Sequence, residues 1–267
     1  MSILASSWQK LTWGNQHFER LEKALREALD PKAHPVTVES HIDAAQKLSV
    51  RVASVPTIPR DCSLIVGDVI HSYRASLDHA AWALVRKARQ RLSARQEADV
   101  AFSMSWTRAA FDNKRAQRLP GITDEEFALI SRYQPYRRTK EGARMRLLQR
   151  LSNTDKHREL IVAVMQAWPD SRLRVRAVGY SVPISSVRYM YSRPVQLRVG
   201  MLVLEAQLRP LLGVQREVHM EGHISAYPAL RQRDTHLTGP PPLSVYDALG
   251  SISETINAFL TQLVRIL

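Results

Sequence analysis

In the stretch "GDVIHSYRASLDHAAWAL", residues 67 to 84, the chemistry-bearing side chains His71, Arg74, Asp78 and His79 fall within nine positions. An imidazole titrates near neutrality and can move a proton, and a guanidinium stabilises negative charge as it develops. On a helix turning about 100° per residue, His71, Arg74 and Asp78 share an arc of about 60°, and His79 lies about 140° round from Arg74. Arg74 and Asp78 are spaced i, i+4, where side chains pair. A second cluster, Asp155, Lys156, His157 and Arg158, stands in "LSNTDKHRELIVAV". Asp155 and Arg158 share a helix face there, and His157 projects apart from them. Both clusters border strongly apolar runs, where charges are costly unless paired or used. One shared site accounts for both, so the 71–79 strip is expected to face 155–158.

Purely structural roles stay open for the same residues. His79 can be a core histidine bonded to a neighbour, and Arg74 with Asp78 an ion pair that fixes packing. A zinc or manganese site can be drawn from His71, Asp78, His79 and His157, but no H-x3-H pair supports it. The expected site therefore holds no metal and no cofactor. "HMEGH" has its histidines, His219 and His223, four apart on a predicted strand, about 13 Å from each other and too far for one ion.

The elements that would carry these residues follow from periodicity. A helical stripe from Ser7 to Leu29 ends at "DPKAHP". Two β-branched runs, Val36 to Ile42 and Leu48 to Val55, read as a hairpin. A long apolar helix spans about 63 to 91. A short helix over 105–119 follows, then one over 123–133 capped by Thr123 with Glu126 three residues on. A long helix is expected over 143–168, with a break near Ser152 left open. After Pro169 the period changes to that of an antiparallel meander, and residues 244 to 267 form an amphipathic helix whose stripe calls for the 63–91 helix as partner. The expected fold class is α+β, mainly α: a helical bundle with an N-terminal β-hairpin and a small C-terminal antiparallel meander. A single domain over 1–267, with β elements near 36–55 and 171–228, is the simplest organisation. The tryptophans are expected in core or cap packing.

Thirty-eight Lys and Arg against 25 Asp and Glu give a formal charge of +13, with a pI near 10.3. Such a field attracts phosphate backbones. The densest basic strip, "RYQPYRRTKEGARMRLLQR", offers Arg132, Arg137, Arg138, Lys140 and Arg144 for nucleic-acid contact, with Tyr133 and Tyr136 as stacking partners. The competing reading is a solvated face. No apolar run approaches the ~20 residues that span a bilayer, so no membrane partner is expected. The N-terminus lacks the features of a secretion signal, and a single cysteine, Cys62, rules out an intramolecular disulfide. The expected location is the cytoplasm.

The R-x4-H spacing of Arg74 and His79 resembles the motif helix of HEPN-type ribonucleases, with Ala75 where that motif usually has a polar residue. The resemblance implies His79 as general acid or base at a 2′-hydroxyl, Arg74 as stabiliser of the scissile phosphate, cleavage without metal, and a homodimer that brings Arg and His together. More of the chain is similar to a group of uncharacterised bacterial and phage proteins. That likeness rests on "GD-x-x-H-x-x-R-x-x-LDH" and "DKHR", matched here by Gly67, His71, Arg74, Leu77, Asp78, His79, Asp155, Lys156, His157 and Arg158. The leading expectation is a metal-independent endoribonuclease of a toxin or phage-defence kind acting on RNA. The alternative is a non-catalytic nucleic-acid-binding or regulatory scaffold.

Overall fold

Leucine and aromatic side chains recurring every three or four residues mark the long helices and β-branched residues the longer strands; eight helices and ten strands occur among the described residues. The structure, a computed structural model, describes residues 3–88, 91–157, 161–166, 172–183, 186–191, 195–231 and 243–267. The fold is α+β and mainly α, as the periodicity predicts, with an N-terminal hairpin and C-terminal antiparallel strands. Two compact units organise the chain: Met1–Glu22, Asp61–Leu160 and Tyr246–Leu267 in one, Lys23–Arg60 and Ile161–Val245 in the other.

The first unit holds the helices α1 (Ala5–Ala28, up to Glu22), α2 (Asp61–Lys87), α3 (Ala94–Asp99), α4 (Arg108–Asn113), α5 (Arg115–Arg118), α6 (Asp124–Arg132), α7 (Lys140–His157) and α8 (Val245–Ile266, from Tyr246). Along α2, Val66, Val69, Ile70, Tyr73, Leu77, Ala80 and Ala81 are all fully buried, which is the signature of a helix packed on several sides. The stripe of α8, from Leu249 through Ile252 and Ile256 to Leu263, is equally buried. Phe259 of α8 receives the edges of Phe102 and Tyr133, with ring centroids 5.3 and 5.2 Å away. Tyr73 on α2 and Ser253 on α8 both donate to Asn15 Oδ1 of α1, at 2.9 and 2.7 Å. Asn15 of α1 thereby ties Tyr73 of α2 to Ser253 of α8. Gly14 makes room for the Tyr73 ring, since a Cβ there would sit 2.7 Å from it. Burial pushes the Tyr73 phenol up to about 12, so the group stays a neutral donor.

Helix ends follow local chemistry. Thr123 and Glu126 form the predicted capping box on α6, and the buried Glu126 also receives Lys87 Nζ of α2 at 3.0 Å. Ser93 and Gln96 make a second box on α3. The helix expected over 105–119 is instead two, α4 and α5. Its turn tightens at Lys114, whose N–H reaches the carbonyls of Phe111 and Asp112 rather than the fourth residue back.

In the second unit every pairing is antiparallel. The strands are β1 (Thr37–Ile42), β2 (Lys47–Ser54), β3 (Ile161–Gln166), β4 (Arg172–Val178), β5 (Tyr180–Ser181), β6 (Arg188–Tyr189), β7 (Leu202–Gln207), β8 (Arg209–Pro210), β9 (Glu217–His223) and β10 (Ala226–Arg231). The hairpin β1–β2 joins β7 and β6 in one four-stranded sheet, and β10–β3, β4–β9 and β5–β8 pair separately. The core lies on the inward side chains Leu48, Val50, Val52, Leu204, Ala206 and Val164. The hairpin turn closes on Asp43, whose Oδ1 accepts from Lys47 N at 2.9 Å, with Gln46 in the left-handed region at φ 63°. "LIVAVM" departs from expectation. The helix predicted to run to 168 is described over Lys140–His157, and within its expected span Ile161–Gln166 form the strand β3 instead, registered from Ile161↔Arg231 to Gln166↔Ala226 on β10. Its isoleucine and valines favour the pleat, and helical periodicity alone cannot separate a short apolar strand from a helix. No helix among the described residues is long and apolar enough to cross a membrane.

Glu126→Ala would strand both the Thr123 N–H and Lys87. A loss of about 1–3 kcal/mol is expected in denaturant unfolding, whereas Glu125→Ala, at an exposed neighbour, should stay within about 0.5 kcal/mol.

Candidate functional site

Residues 100–107, between α3 and α4, include a buried run without regular structure, Phe102 to Ser105, so their backbone groups need partners from elsewhere. The Arg74–Asp78 pair supplies two of them. Arg74 Nε and Nη2 donate to Asp78 Oδ2 and Oδ1 at 3.2 and 3.1 Å. Phe102 N donates to Asp78 Oδ1 at 2.9 Å, and Phe102 O accepts from Arg74 Nη2 at 2.6 Å. Ser105 N donates to Gln134 Oε1 at 3.0 Å, and Met104 O accepts from Gln149 Nε2 at 3.3 Å. The i, i+4 pair thus clamps an irregular segment against α2.

Beside the clamp lies a cavity of about 450 Å³. His71, Arg74 and Asp78 line it from α2, Lys114 and Arg118 from α5 and its cap, and Gln149 and Asn153 from α7. Gln149 Oε1 is buried without a hydrogen-bond partner. Arg118 is tied to Asp99 O at 2.8 Å. Lys114 is exposed. His79 is half-buried and is not among the lining residues. Within one chain, Arg74 and His79 therefore do not open on this cavity together, as their angular separation on α2 implies.

Of the second cluster, Asp155 is the member whose side chain stands against α2. Gly67 lets α7 approach α2 so closely that a Cβ on it would stand 2.6 Å from Asp155 Oδ1. Burial raises the Asp155 carboxyl above its ordinary value; His71 opposes that shift and Asp68 adds to it. Asp155 and His71 are thus electrostatic neighbours across the two helices. Of Lys156 and His157 only the backbone, at the end of α7, is described, and Arg158 lies outside the described residues. No group of three or more His, Cys, Asp or Glu able to hold a metal ion occurs among the described residues. His219 sits on β9 against Glu217 Oε2 at 3.0 Å, and the side chain of His223 lies outside the described set.

The basic strip divides in two. Arg132, Arg138 and Lys140 are exposed. Arg144 pairs with Glu254 at 3.3 Å, and Arg137 donates to Ser131 O at 3.1 Å while lying over the Tyr136 ring. Tyr133 is 3% exposed and packs on Phe259, so it offers no face to a base, contrary to expectation. The tryptophans also correct the sequence reading. Trp13, Trp82 and Trp106 are 56%, 37% and 48% exposed, and Arg150 lies over the Trp106 ring at 5.8 Å. Spacing alone carries no signal for this, because an aromatic at the edge of a helix reads the same whether or not a neighbour covers it. A second cavity, of about 520 Å³, opens among Arg108, Arg115, Arg132 and Arg137.

Asp78→Ala should cost about 2–3 kcal/mol in denaturant unfolding, because the Phe102 N–H and the half-buried Arg74 lose their partner together. For Asp155 the native carboxyl keeps its proton where the unfolded one has lost it. Its contribution is complete below the ordinary aspartate value of 3.8 and declines as pH rises through the raised native value. Asp155→Asn should accordingly raise the neutral-pH melting temperature relative to the parent, and the difference should vanish under acid conditions in a calorimetric pH series. No protein-family model, curated protein or solved structure significantly matches the chain.

Proposed function

We propose that the helical unit binds single-stranded nucleic acid, RNA in the first instance, along the surface that runs from the His71–Arg74 cavity past Trp106 to the arginine-lined cavity. The observation that carries this reading is the exposed Trp106 under Arg150, within the four peptide steps from Met104, which lines the first cavity, to Arg108, which lines the second. Extended chain of that length covers at most about 14 Å, the reach of two or three stacked nucleotides. An exposed indole provides a stacking face, and the guanidiniums and Lys114 provide phosphate contacts. The net charge of +13 favours such association at long range. A cytoplasmic location belongs to the same reading, with Cys62 as a free thiol.

A second reading, metal-independent RNA cleavage, is favoured by one further observation. His71, not His79, shares the cavity with Arg74 and neighbours Asp155. In that reading His71 moves the proton at the 2′-hydroxyl, Asp155 orients it, and Lys114 faces the scissile phosphate. The HEPN-type assignment of the acid–base role to His79 would instead require a second copy to bring it to Arg74.

Binding of a single-stranded RNA, followed by anisotropy, should weaken steeply between about 50 and about 200 mM salt. Trp106→Ala should weaken it about tenfold, the worth of one stacked base. A variant that binds as the parent does would defeat the proposal. Incubation with RNA in EDTA separates the second reading: cleavage lost in His71→Ala and kept in His79→Ala supports it, loss in His79→Ala alone points to the HEPN-type pairing, and no cleavage by the parent leaves binding only.

A further inference from the structure

The second cavity has a charge balance and donor geometry that strand binding in general does not require. Arg108, Arg115, Arg132 and Arg137 line it with Asp112 and Asp124, so four positive groups less two negative ones leave two positive charges. Arg108 Nε is engaged by Asp112, at 2.7 and 2.8 Å, and Arg115 Nη2 by Asp124 at 2.7 Å. Neither Arg132 nor Arg137 has a carboxylate partner among the described residues. Arg108 Nη1 and Arg137 Nη2 both donate to Ser131 Oγ, at 3.3 and 3.0 Å, and the Tyr136 hydroxyl lies 2.8 Å from the same oxygen. A hydroxyl accepts two hydrogen bonds, so the two arginines fill Ser131 and its own proton goes to Tyr136. Two guanidiniums are thereby held side by side on a neutral atom. Their mutual repulsion is relieved when an anion bridges their remaining N–H groups.

Apolar recognition is not what the cavity offers. Phe127, its aromatic wall, has Phe111 stacked on it at 4.5 Å and 9°, and Arg115 over it at 4.5 Å, so both ring faces are covered. We propose that this cavity receives a phosphomonoester dianion, the terminal phosphate of a nucleic-acid strand whose body lies along Trp106. The identity of the strand rests on the nucleic-acid reading above. The choice of a terminal phosphate rests on the cavity: a monoester carries a charge of about −1.5 to −2 at neutral pH and matches the two unpaired positive charges, whereas an internal diester carries one. Arg137 and Arg108 form the fork, and the exposed Arg132 closes on the outer oxygens.

Two titrations keep the two readings distinguishable. In the first, methyl phosphate and dimethyl phosphate are added while the arginine Nε–H resonances are followed. The monoester should perturb Arg108, Arg132 and Arg137 at concentrations about tenfold below the diester; equal responses, or none at these residues, would overturn the cavity proposal. In the second, the same RNA is compared with a 5′-phosphate, with a 3′-phosphate and with neither. One phosphorylated end should bind about tenfold more tightly, and the preference should disappear in Arg132→Gln. That residue is exposed, so its substitution leaves the fold intact, and Arg95→Gln on α3 should keep the preference. A cavity that takes methyl phosphate in a protein that binds none of the three RNAs would refute the strand assignment, and with it the nucleic-acid reading. RNA binding with no preference for either end would refute the cavity proposal alone.

Discussion

The charged clamp of Arg74, Asp78 and Phe102 is the interaction on which the candidate site depends. A buried segment without regular structure must satisfy its peptide groups outside its own backbone. Here one ion pair, one helical turn long, satisfies both the N–H and the C=O of Phe102. The same segment then carries Met104 into one cavity and Trp106 to the surface, and leads into Thr107, which caps α4. Arg74 is therefore first a structural residue. Whatever it does for a ligand it does with the donors the clamp leaves over.

That division of labour bears on how the sequence motif is understood. Arginine and histidine five positions apart on a helix do not share a face, and the chain places only the arginine at the cavity. His71, one turn before Arg74, lines the same cavity as the arginine. The Asp155 carboxylate of α7 lies against Gly67, which has no side chain to crowd it. Asp155 in turn sits where burial and Asp68 work against its ionisation.

The basic excess also sorts into distinct roles. Arg144, Arg115 and Arg118 are held by carboxylates or carbonyls and contribute to packing between helices. Arg132, Arg138, Lys140 and Lys114 are exposed and supply the long-range field. Arg108 and Arg137 are intermediate, fixed by Ser131 yet facing a cavity. Guanidiniums held in place in this way lose little freedom when they meet an anion.

The helices α1, α2, α6 and α8, the hairpin and the C-terminal strands were legible in the sequence, because hydrophobic period and capping residues act over a few positions. The 71–79 strip was expected to face 155–158 because polar groups in two apolar elements need each other, and Asp155 does stand against α2, beside Gly67. The sequence could not reveal that "LIVAVM" leaves the helix to pair with β10, for a short apolar run is stabilised by whichever neighbour the fold brings to it. Nor could it reveal that Trp106 is exposed while Tyr133 is buried, or that Arg108 and Arg137 meet at Ser131. Those outcomes depend on distances between side chains far apart in the chain, and only tertiary packing decides them.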